Sequence, residues 1–330
     1  MPGTQTRTIQ VGIVGTGYAA TRRAEAIQAD DRSQLVTIAG HKPDQIAAFA
    51  QTHGVSAVES WQELVERSDV DLVVICSANY EHEKIVRTAL EHGKHVVVEY
   101  PLALRAIEAS ELINLAKRQN KLLHVEHIEL LSGIHQSIKA ALPEVGIPFH
   151  VRSASLMSQQ PAPEKWSYHR EQFGFPLVGA VSRIHRLTDL FGKVATVSCQ
   201  TRFWDSSRAS GYFSSCLCIA HLRFTSGLLA EVIYGKGEAI WQTDRTLTIQ
   251  GDRGALTING EQGKLTTAAG DRSLEVGSRR GLFAKDTAQV LDYLTIGTPI
   301  YVSLDSSLYA LQVADAARRS AEIGETIEVE

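Results

Sequence analysis

A glutamate and a tyrosine at the predicted end of a strand are the residues best placed to do chemistry. Glu99 and Tyr100 follow three consecutive valines and precede Pro101. Three β-branched residues in a row predict a strand buried on both faces of a parallel sheet, and Pro101 ends it because proline lacks a backbone N–H. Ligands of open α/β sheets bind at the carboxyl ends of strands, so Glu99 and Tyr100 are predicted to contact a ligand there. The alternative is a polar strand terminus without a functional role.

Further titratable side chains are predicted at the same edge of the sheet. Glu126 and His127 follow a strand predicted for residues 122–125, and His82 lies in the first turn of a helix predicted for residues 81–92. Because the carboxyl ends of parallel strands meet at one edge, we expect these groups to line a polar pocket. Their spacing matches no standard zinc pattern, so no metal is predicted.

A glycine motif near the start of the chain predicts a nucleotide site. The sequence GTGYAA at residues 15–20 lies between a strand predicted for residues 9–14 and a helix. Gly15 permits the tight turn, Gly17 lets a pyrophosphate approach the backbone, and the helix N-terminus attracts phosphate. The predicted cofactor contacts are Gly15, Thr16, Gly17, Tyr18, Ala19, His41, Lys42, Ser77, Asn79, His82, Glu99 and Tyr100.

The end of the second predicted strand bears on cofactor choice. NAD-selective sites place an acidic residue there, but this chain has Gly40, His41 and Lys42. With no carboxylate to repel a 2′-phosphate and with Lys42 available to pair with it, NADPH is predicted as the cofactor and NADH as a poorer substitute. The alternative is that Lys42 is an ordinary solvated lysine.

Two arginines and an aromatic loop are the candidate substrate contacts later in the chain. A helix predicted for residues 177–191 carries Arg183 and Arg186, which lie on one face because they are three residues apart. A long irregular segment, residues 156–175, precedes it and ends with Phe173 and Phe175. Long loops inside compact domains are usually functional, so we expect this one to cover a ligand. The alternative for the arginines is a salt-bridged helix surface.

The order of predicted elements defines the fold class. Strands alternate with helices up to about residue 125, which predicts βαβ units and a doubly wound parallel Rossmann sheet over residues 1–128. Alternating strands separated by turn signals dominate the rest of the chain. They predict an α+β domain over residues 129–330, with a large, mostly antiparallel open sheet.

Composition excludes several classes of protein. The chain has 330 residues, 44% hydrophobic and 21% charged, which fits two soluble globular domains. A net charge of −4 without a long basic run argues against nucleic-acid binding. No apolar stretch reaches membrane-spanning length, so a cytoplasmic protein without membrane contact is predicted. The pair Cys216 and Cys218 lacks a second ligand pair and is interpreted as structural.

The motifs resemble the glucose-fructose oxidoreductase/inositol dehydrogenase superfamily. The resemblance rests on the GxGxxA motif, the strand ending Glu-x-Pro, and the tail at residues 304–329. Two departures stand out: Tyr100 replaces the usual lysine of Glu-Lys-Pro, and Ser182 and Arg186 replace the Asp and His that serve sugar oxidation. Since the groups expected to accept a hydroxyl proton are missing, the resemblance does not imply a sugar dehydrogenase.

Four separated segments more closely resemble the biliverdin reductase family. They are GKHVVVEYP (93–101), LHVEHIELL (123–131), FGFP (173–176) and VSRIHRLTDLFG (181–192). The resemblance implies hydride transfer from a nicotinamide cofactor to the central methine carbon of a bilin, with protonation of a pyrrole nitrogen. No alkoxide forms in this reaction, so no lysine or histidine base is needed.

This resemblance, read with the residues, assigns site roles. Arg183, Tyr100 and Glu99 are the predicted catalytic residues. The predicted substrate contacts are Arg186, His82, Glu126, His127, Phe173 and Phe175. We expect a small-molecule bilin substrate and a monomer or weak homo-oligomer. Two alternatives remain: another NADPH-dependent oxidoreductase of the superfamily that acts on a sugar or imine, and a non-enzymatic NADP(H)-binding regulator.

Overall fold

The computed structural model describes residues 7–278 and 280–329. These residues form two compact units, of which the first comprises residues 7–128 and 281–305 and the second the other described residues. The first unit carries a parallel sheet and the second a mostly antiparallel sheet, which confirms the predicted fold class.

Strands and helices alternate through the first 128 residues, because short apolar runs alternate with amphipathic stretches between glycine and proline breaks. The strands are β1 (Ile9–Val14), β2 (Ser33–Ala39), β3 (Ser56–Ala57), β4 (Leu72–Ile75), β5 (His95–Val98) and β6 (Leu123–Val125), and the helices are α1 (Tyr18–Gln28), α2 (Pro43–His53), α3 (Trp61–Glu66), α4 (Asn79–Glu91) and α5 (Ala106–Gln119).

Within residues 7–128 the strands form one six-stranded sheet in the order β3-β2-β1-β4-β5-β6. Every neighbouring pair is parallel. The chain winds outward from β1 in one direction and then restarts at β4 in the other. The carboxyl ends of β1 and β4 therefore flank a topological switch point, which is where such sheets bind ligands.

The later elements are longer strands mixed with helices. They are α6 (Gly133–Val145), β7 (Pro148–Ser158), α7 (Arg170–Phe173), α8 (Pro176–Gly179), α9 (Ser182–Phe191), β8 (Val194–Asp205), β9 (Phe213–Phe224), β10 (Leu229–Gly237), β11 (Thr246–Gly251), β12 (Gly254–Asn259), β13 (Gln262–Thr267), β14 (Gly270–Leu274), α10 (Leu282–Ile296), α11 (Leu304–Ile323) and β15 (Ile327–Glu328).

Nine of these strands, counted over the described residues, form the sheet of the second unit in the order β14-β13-β12-β11-β7-β10-β9-β8-β15. Only the central pair β10 and β7 is parallel among them. The sequence did not predict β13 and β14. Their side chains are mostly exposed, so the apolar alternation that marks a half-buried strand is weak there.

The helix predicted for residues 177–191 is two helices, α8 and α9. Ala180 leaves helical geometry with φ −119° and ψ 36°. The turn brings Gly179 against the Phe173 ring, where a Cβ atom would lie 2.6 Å from a ring carbon. A bulkier residue at position 179 would therefore collide with the ring. The turn between α8 and α9, which sets the direction of α9, thus depends on glycine.

The units also divide the chain differently from the predicted contiguous domains. Helix α10 belongs to the first unit, although it follows the second unit's sheet in the sequence. Val290 is buried in the same apolar cluster as Ile27 of α1, and Leu294 packs against that cluster. The range 129–330 is therefore not one packing unit, because residues 281–305 return to the first sheet.

Candidate functional site

Arg23 of α1 is the centre of a buried polar network in the first unit. Its side chain is 1% exposed. Its Nε donates a hydrogen bond to Glu99 Oε1 at 3.1 Å, and its Nη1 donates to Asp286 Oδ2 and to Thr287 Oγ1. Arg23 thus fixes the carboxylate at the end of β5. Sequence reasoning missed Arg23, because its partner Asp286 is 263 residues away along the chain.

Asp286 joins further groups to this network. Its Oδ1 accepts hydrogen bonds from His124 Nε2 at 2.7 Å and from the Tyr301 hydroxyl at 2.8 Å. Burial opposes ionisation of Asp286, but the charges of Arg23 and His124 outweigh it and hold the pKa of this carboxyl well below its usual range. Asp286 is therefore a fixed negative charge that balances Arg23.

Glu99 and Glu126 form a pair of carboxyl groups beside this network. Their side chains share a hydrogen bond, and the backbone N–H of Ile128 donates to Glu126 Oε1 at 2.6 Å. Burial, and then the charge of Glu99, raise the pKa of Glu126 well above its usual range. Burial also raises the pKa of Glu99, with partial relief from Arg23. Two carboxyl groups in a hydrogen bond must share a proton, so one of the pair is protonated.

The aromatic rings of Tyr100 and His127 lie next to this pair. The rings are stacked, with centroids 5.8 Å apart and an interplanar angle of 5°. The backbone N–H of His127 donates to the Tyr301 hydroxyl at 3.0 Å. The structure thus brings together Glu99, Tyr100, Glu126 and His127, which were predicted separately from two strand ends.

His82 lies at the predicted edge of the sheet but points into the protein. Its Nδ1 is 2.7 Å from the carbonyl oxygen of Pro101, and its Nε2 is 3.2 Å from that of Ser77. Burial lowers its pKa, which favours the neutral ring. This buried side chain ties together the loops that follow β4 and β5, and its predicted ligand contact stays a prediction.

The glycine loop has the shape that a pyrophosphate needs. Gly15 has φ +121°, and a Cβ there would lie 2.5 Å from the carbonyl oxygen of Cys76. Space around Gly17 is open, with no heavy atom within 4 Å of a Cβ built there among the described residues. Helix α1 begins at Tyr18 without a side-chain cap, so its first N–H groups face this space. The loop with Thr16 and Ala19 therefore fits a dinucleotide.

The residues after β2 lie next to an acid that sequence reasoning missed. His41 Nε2 lies 2.7 Å from Glu81 Oε2, whereas the neighbouring Lys42 is exposed. Glu81 comes from the first turn of α4, not from the end of β2, so its position could not be read from spacing along β2. In the same loop region Asn79 is buried, as is the Ser77 hydroxyl.

Both predicted arginines line a cavity inside the second unit. The cavity measures about 280 Å³, and Arg183 and Arg186 reach it from α9. Arg186 Nη2 donates to Glu129 Oε2 at 2.8 Å. Arg183 Nε is buried without a hydrogen-bond partner among the described residues, and its Nη1 makes only a long contact of 3.4 Å with Ser182 Oγ. The two arginines therefore differ: Arg186 is paired with a carboxylate and Arg183 is not.

One turn beyond Arg186, α9 is held by a second set of charged groups. Asp189 Oδ2 lies 2.8 Å from His135 Nε2 and 3.3 Å from Lys139 Nζ. The hydrogen bond from His135 is the main reason that the pKa of Asp189 is lowered to about 2. Burial lowers the pKa of His185, also on α9, to about 4. These contacts fix α9 against α6 and so fix the two arginines.

Phe173 was predicted to cover a substrate, but it is a core residue. Only 4% of it is exposed. Its ring lies 6.4 Å from those of Phe213 and Tyr234, and Lys236 Nζ lies 3.5 Å from its centroid. The loop packs onto β9 and β10, where the apolar surface of Phe173 is removed from water, and its predicted substrate contact stays a prediction. Phe175 is only partly buried, and its role stays a prediction.

The described residues contain neither a metal-binding cluster nor a membrane-spanning helix. Over residues 7–278 and 280–329, no cluster of three or more His, Cys, Asp or Glu side chains is arranged to hold a metal ion. Over the same residues, no helix combines the length and the apolar character needed to cross a bilayer.

Comparison with known proteins identifies the class. Residues 9–127 match the family model described as an oxidoreductase family with an NAD-binding Rossmann fold. Residues 144–329 match the model for the C-terminal alpha/beta domain of the same oxidoreductase family. The chain therefore belongs to this oxidoreductase family, as the sequence resemblance predicted.

Individual relatives narrow the class further. A crystal structure of biliverdin reductase from Synechocystis, in complex with biliverdin and NADP+, is 52% identical, with a TM-score of 0.93 over 95% of this chain and 99% of that one. Biliverdin reductase A from Mus musculus and that from Homo sapiens are each 30% identical over 58% of this chain. The matched region spans 61% of the length of each of these two curated relatives. The narrower resemblance to biliverdin reductases is thus confirmed.

Proposed function

We propose that this protein reduces biliverdin to bilirubin with NADPH. A hydride is added to the central methine carbon and a proton to a neighbouring pyrrole nitrogen, so the bridge is saturated and no bond to oxygen is formed or broken. The observation that carries this proposal is the 52% identity, over 95% of the chain, to an enzyme whose structure contains biliverdin and NADP+.

The residues that follow β5 suit a reaction that needs no proton-accepting base. Sugar oxidation requires a group that accepts a hydroxyl proton, but Tyr100 occupies the lysine position and its ring is stacked on His127. Tyrosine has an ordinary pKa near ~10 and is a poor base at neutral pH. Tyr100 therefore supports the proposal as a packing surface with a hydroxyl, not as a proton acceptor.

The carboxyl pair supports the proton side of the reaction. Hydride addition leaves negative charge on the bilin nitrogens, and a proton must follow. Glu99 and Glu126 share one proton in their hydrogen bond, and Glu99 is itself bound to Arg23. In the proposed mechanism this proton passes from Glu126 through Glu99 towards the bilin, and solvent restores it. A protonated carboxyl is an effective general acid when its pKa lies near the working pH.

Arg183 supports the charge side of the reaction. An arginine has a pKa above ~12 and does not give up its proton at neutral pH. Its role in the proposed mechanism is to stabilise negative charge as it develops on the bilin. Arg183 suits that role because it lines the cavity and no carboxylate among the described residues neutralises its charge.

The first unit supplies the proposed NADPH site. When bound, the cofactor supplies the hydride. The open backbone at Gly17 and the N-terminus of α1 would hold the pyrophosphate, and the exposed Lys42 would pair with the 2′-phosphate. Glu81 already has His41 as a partner, which lessens its repulsion of that phosphate. A cytoplasmic protein that is a monomer or weak homo-oligomer stays the prediction for assembly and location.

The direct experiment is to mix the protein with NADPH and biliverdin and record the visible spectrum. We expect the biliverdin band to be replaced by the bilirubin band, with one NADPH oxidised for each bilin reduced. Bilin binding without NADPH oxidation would support a regulator, and NADPH oxidation with a sugar or imine but not with biliverdin would support another reductase of the family. Either result would overturn the proposal.

A further inference from the structure

The cavity in the second unit contains a third arginine that the substrate helix does not supply. Arg245 directly precedes β11 and lines the same cavity as Arg183 and Arg186. Its backbone is fixed, because its carbonyl oxygen accepts a hydrogen bond from Gly260 N at 3.1 Å. A fixed backbone places the start of a long, positively charged side chain at the wall of the cavity.

The charges around the cavity leave Arg245 uncompensated. Two glutamates, Glu129 and Glu261, also line the cavity, but Glu129 is bound to Arg186 at 2.8 Å. The adjacent Asp244 is engaged by the Thr246 hydroxyl at 2.7 Å and by Arg152 at 3.4 Å. Among the described residues, no carboxylate oxygen lies within 4.0 Å of the Arg245 guanidinium.

The present contact of Arg245 is a weak one. Its Nη2 points at the thioether sulfur of Met157 at a distance of 3.6 Å. A thioether is a poor hydrogen-bond acceptor, whereas a carboxylate forms charge-assisted and often bidentate bonds with a guanidinium. A carboxylate that entered the cavity would therefore displace the sulfur from Arg245 at little cost.

The size and lining of the cavity indicate what part of a ligand enters it. A volume of about 280 Å³ lies just below the ~300–1,000 Å³ of pockets that hold a whole drug-sized ligand. Met157, Leu247 and Ile258 add apolar surface beside the arginines. The cavity thus suits an apolar arm that ends in a carboxylate.

We propose that Arg245 binds a propionate carboxylate of the bilin and so selects substrates with free acid side chains. This inference rests on the proposed function. It assigns substrate specificity to a residue outside helix α9. Arg186, predicted from the sequence as a substrate contact, is already neutralised by Glu129. Arg183 is assigned to the reacting part of the bilin, so the carboxylate goes to Arg245, which has no carboxylate partner among the described residues.

The test compares biliverdin with its dimethyl ester, in which both carboxylates are capped. Binding to wild type, Arg245→Gln and Arg245→Lys is titrated by bilin absorbance in the presence of NADP+, so no turnover occurs. Arg223→Gln is the matched control, because Arg223 is an exposed arginine of β9 that does not line the cavity. Thermal unfolding of all variants shows that each is folded.

We expect Arg245→Gln to weaken biliverdin binding by roughly tenfold or more, the value of one charge-assisted hydrogen bond, and to change ester binding by less than about twofold. Arg245→Lys should retain part of the affinity, and Arg223→Gln should match wild type with both ligands. Equal losses for acid and ester, or no loss with either, would overturn the assignment of Arg245. If wild type neither binds nor reduces biliverdin, the proposed function itself fails, and that outcome is separate from a failure of Arg245 alone.

Discussion

The two units use their arginines differently. In the first unit, Arg23 is in contact with two carboxylates, those of Glu99 and Asp286, and its side chain is almost fully removed from water. In the second unit, Arg183 and Arg245 line a cavity and have no carboxylate partner among the described residues. Arg186, in the same cavity, is the intermediate case because Glu129 neutralises it.

This difference separates two uses of the same side chain. An arginine whose charge is matched within the protein holds other groups in place, and removing it leaves buried carboxylates without compensation. An arginine whose charge is unmatched at the wall of a cavity adds little to stability but is ready to bind an anion. Mutation of the charge-matched arginine of the first unit should therefore affect stability. Mutation of the unmatched arginines of the second unit should affect catalysis or binding.

The largest expected effect is on stability, from Arg23→Gln. We expect a loss of about 3–5 kcal/mol in the free energy of unfolding, because Asp286 and Glu99 would stay buried without their partner. Urea unfolding at neutral pH measures it. Arg22→Gln is the control: the neighbouring Arg22 makes a half-exposed pair with Glu25 and should cost no more than about 1 kcal/mol. Equal effects of the two mutations would remove the distinction.

The next effect is on turnover, from Arg183→Gln. We expect kcat for biliverdin reduction to fall by about 10²–10³-fold, the range seen when one donor to a developing charge is removed. The free energy of unfolding should stay within about 1 kcal/mol of wild type, because no carboxylate loses its partner. A variant that is strongly destabilised but has normal kcat would mean that Arg183 is structural.

A smaller effect concerns pH and the helix that carries these arginines. The folded pKa of His185 is about 4, below the ordinary value near ~6.5, so the folded state binds this proton later than the unfolded state as pH falls. Its contribution to stability is therefore complete above pH ~6.5 and is lost as pH falls towards ~4. Between pH 7 and pH 5 wild type should lose about 2 kcal/mol more than His185→Gln in urea unfolding. Parallel losses in the two proteins would contradict this.

The smallest effect concerns cofactor choice. It depends on the same contrast between a paired and an unpaired charged side chain, here beside the sheet of the first unit. His41 is paired with Glu81, whereas Lys42 is exposed and has no ion-pair partner among the described residues. Lys42→Ala should raise KM for NADPH by about tenfold and leave KM for NADH nearly unchanged, since only NADPH carries the 2′-phosphate. Wild type that used both cofactors equally well would show that Lys42 does not select between them.

The sequence predicted what depends on local pattern. Apolar periodicity located the helices of the first 128 residues and the strands other than the two-residue β3, and the glycine spacing located the nucleotide loop. Glu99, Tyr100, Glu126 and His127 could be grouped because the ends of parallel strands share one edge. Each of these inferences needs only neighbours in the sequence or a known sheet topology.

The sequence could not predict contacts between distant segments. Asp286 reaches Arg23 from a helix that returns to the first unit, and no periodicity in α10 indicates that return. Phe173 lies in an aromatic, irregular segment of the kind that covers ligands, yet its ring packs against strands that follow it in the chain. Arg245 lies just before β11, far in sequence from α9, so only the folded sheet shows that the two share a cavity.

The most direct measurement of this account is a biliverdin titration of a double-mutant cycle at Glu129 and Arg186. If Arg186 acts by neutralising Glu129, Arg186→Gln should weaken binding by about tenfold, because the freed carboxylate repels the propionates. The double variant Glu129→Gln with Arg186→Gln should then bind within about threefold of wild type. If Arg186 instead binds the propionate directly, the double variant will stay as weak as Arg186→Gln. That result would contradict the division between compensated and uncompensated arginines.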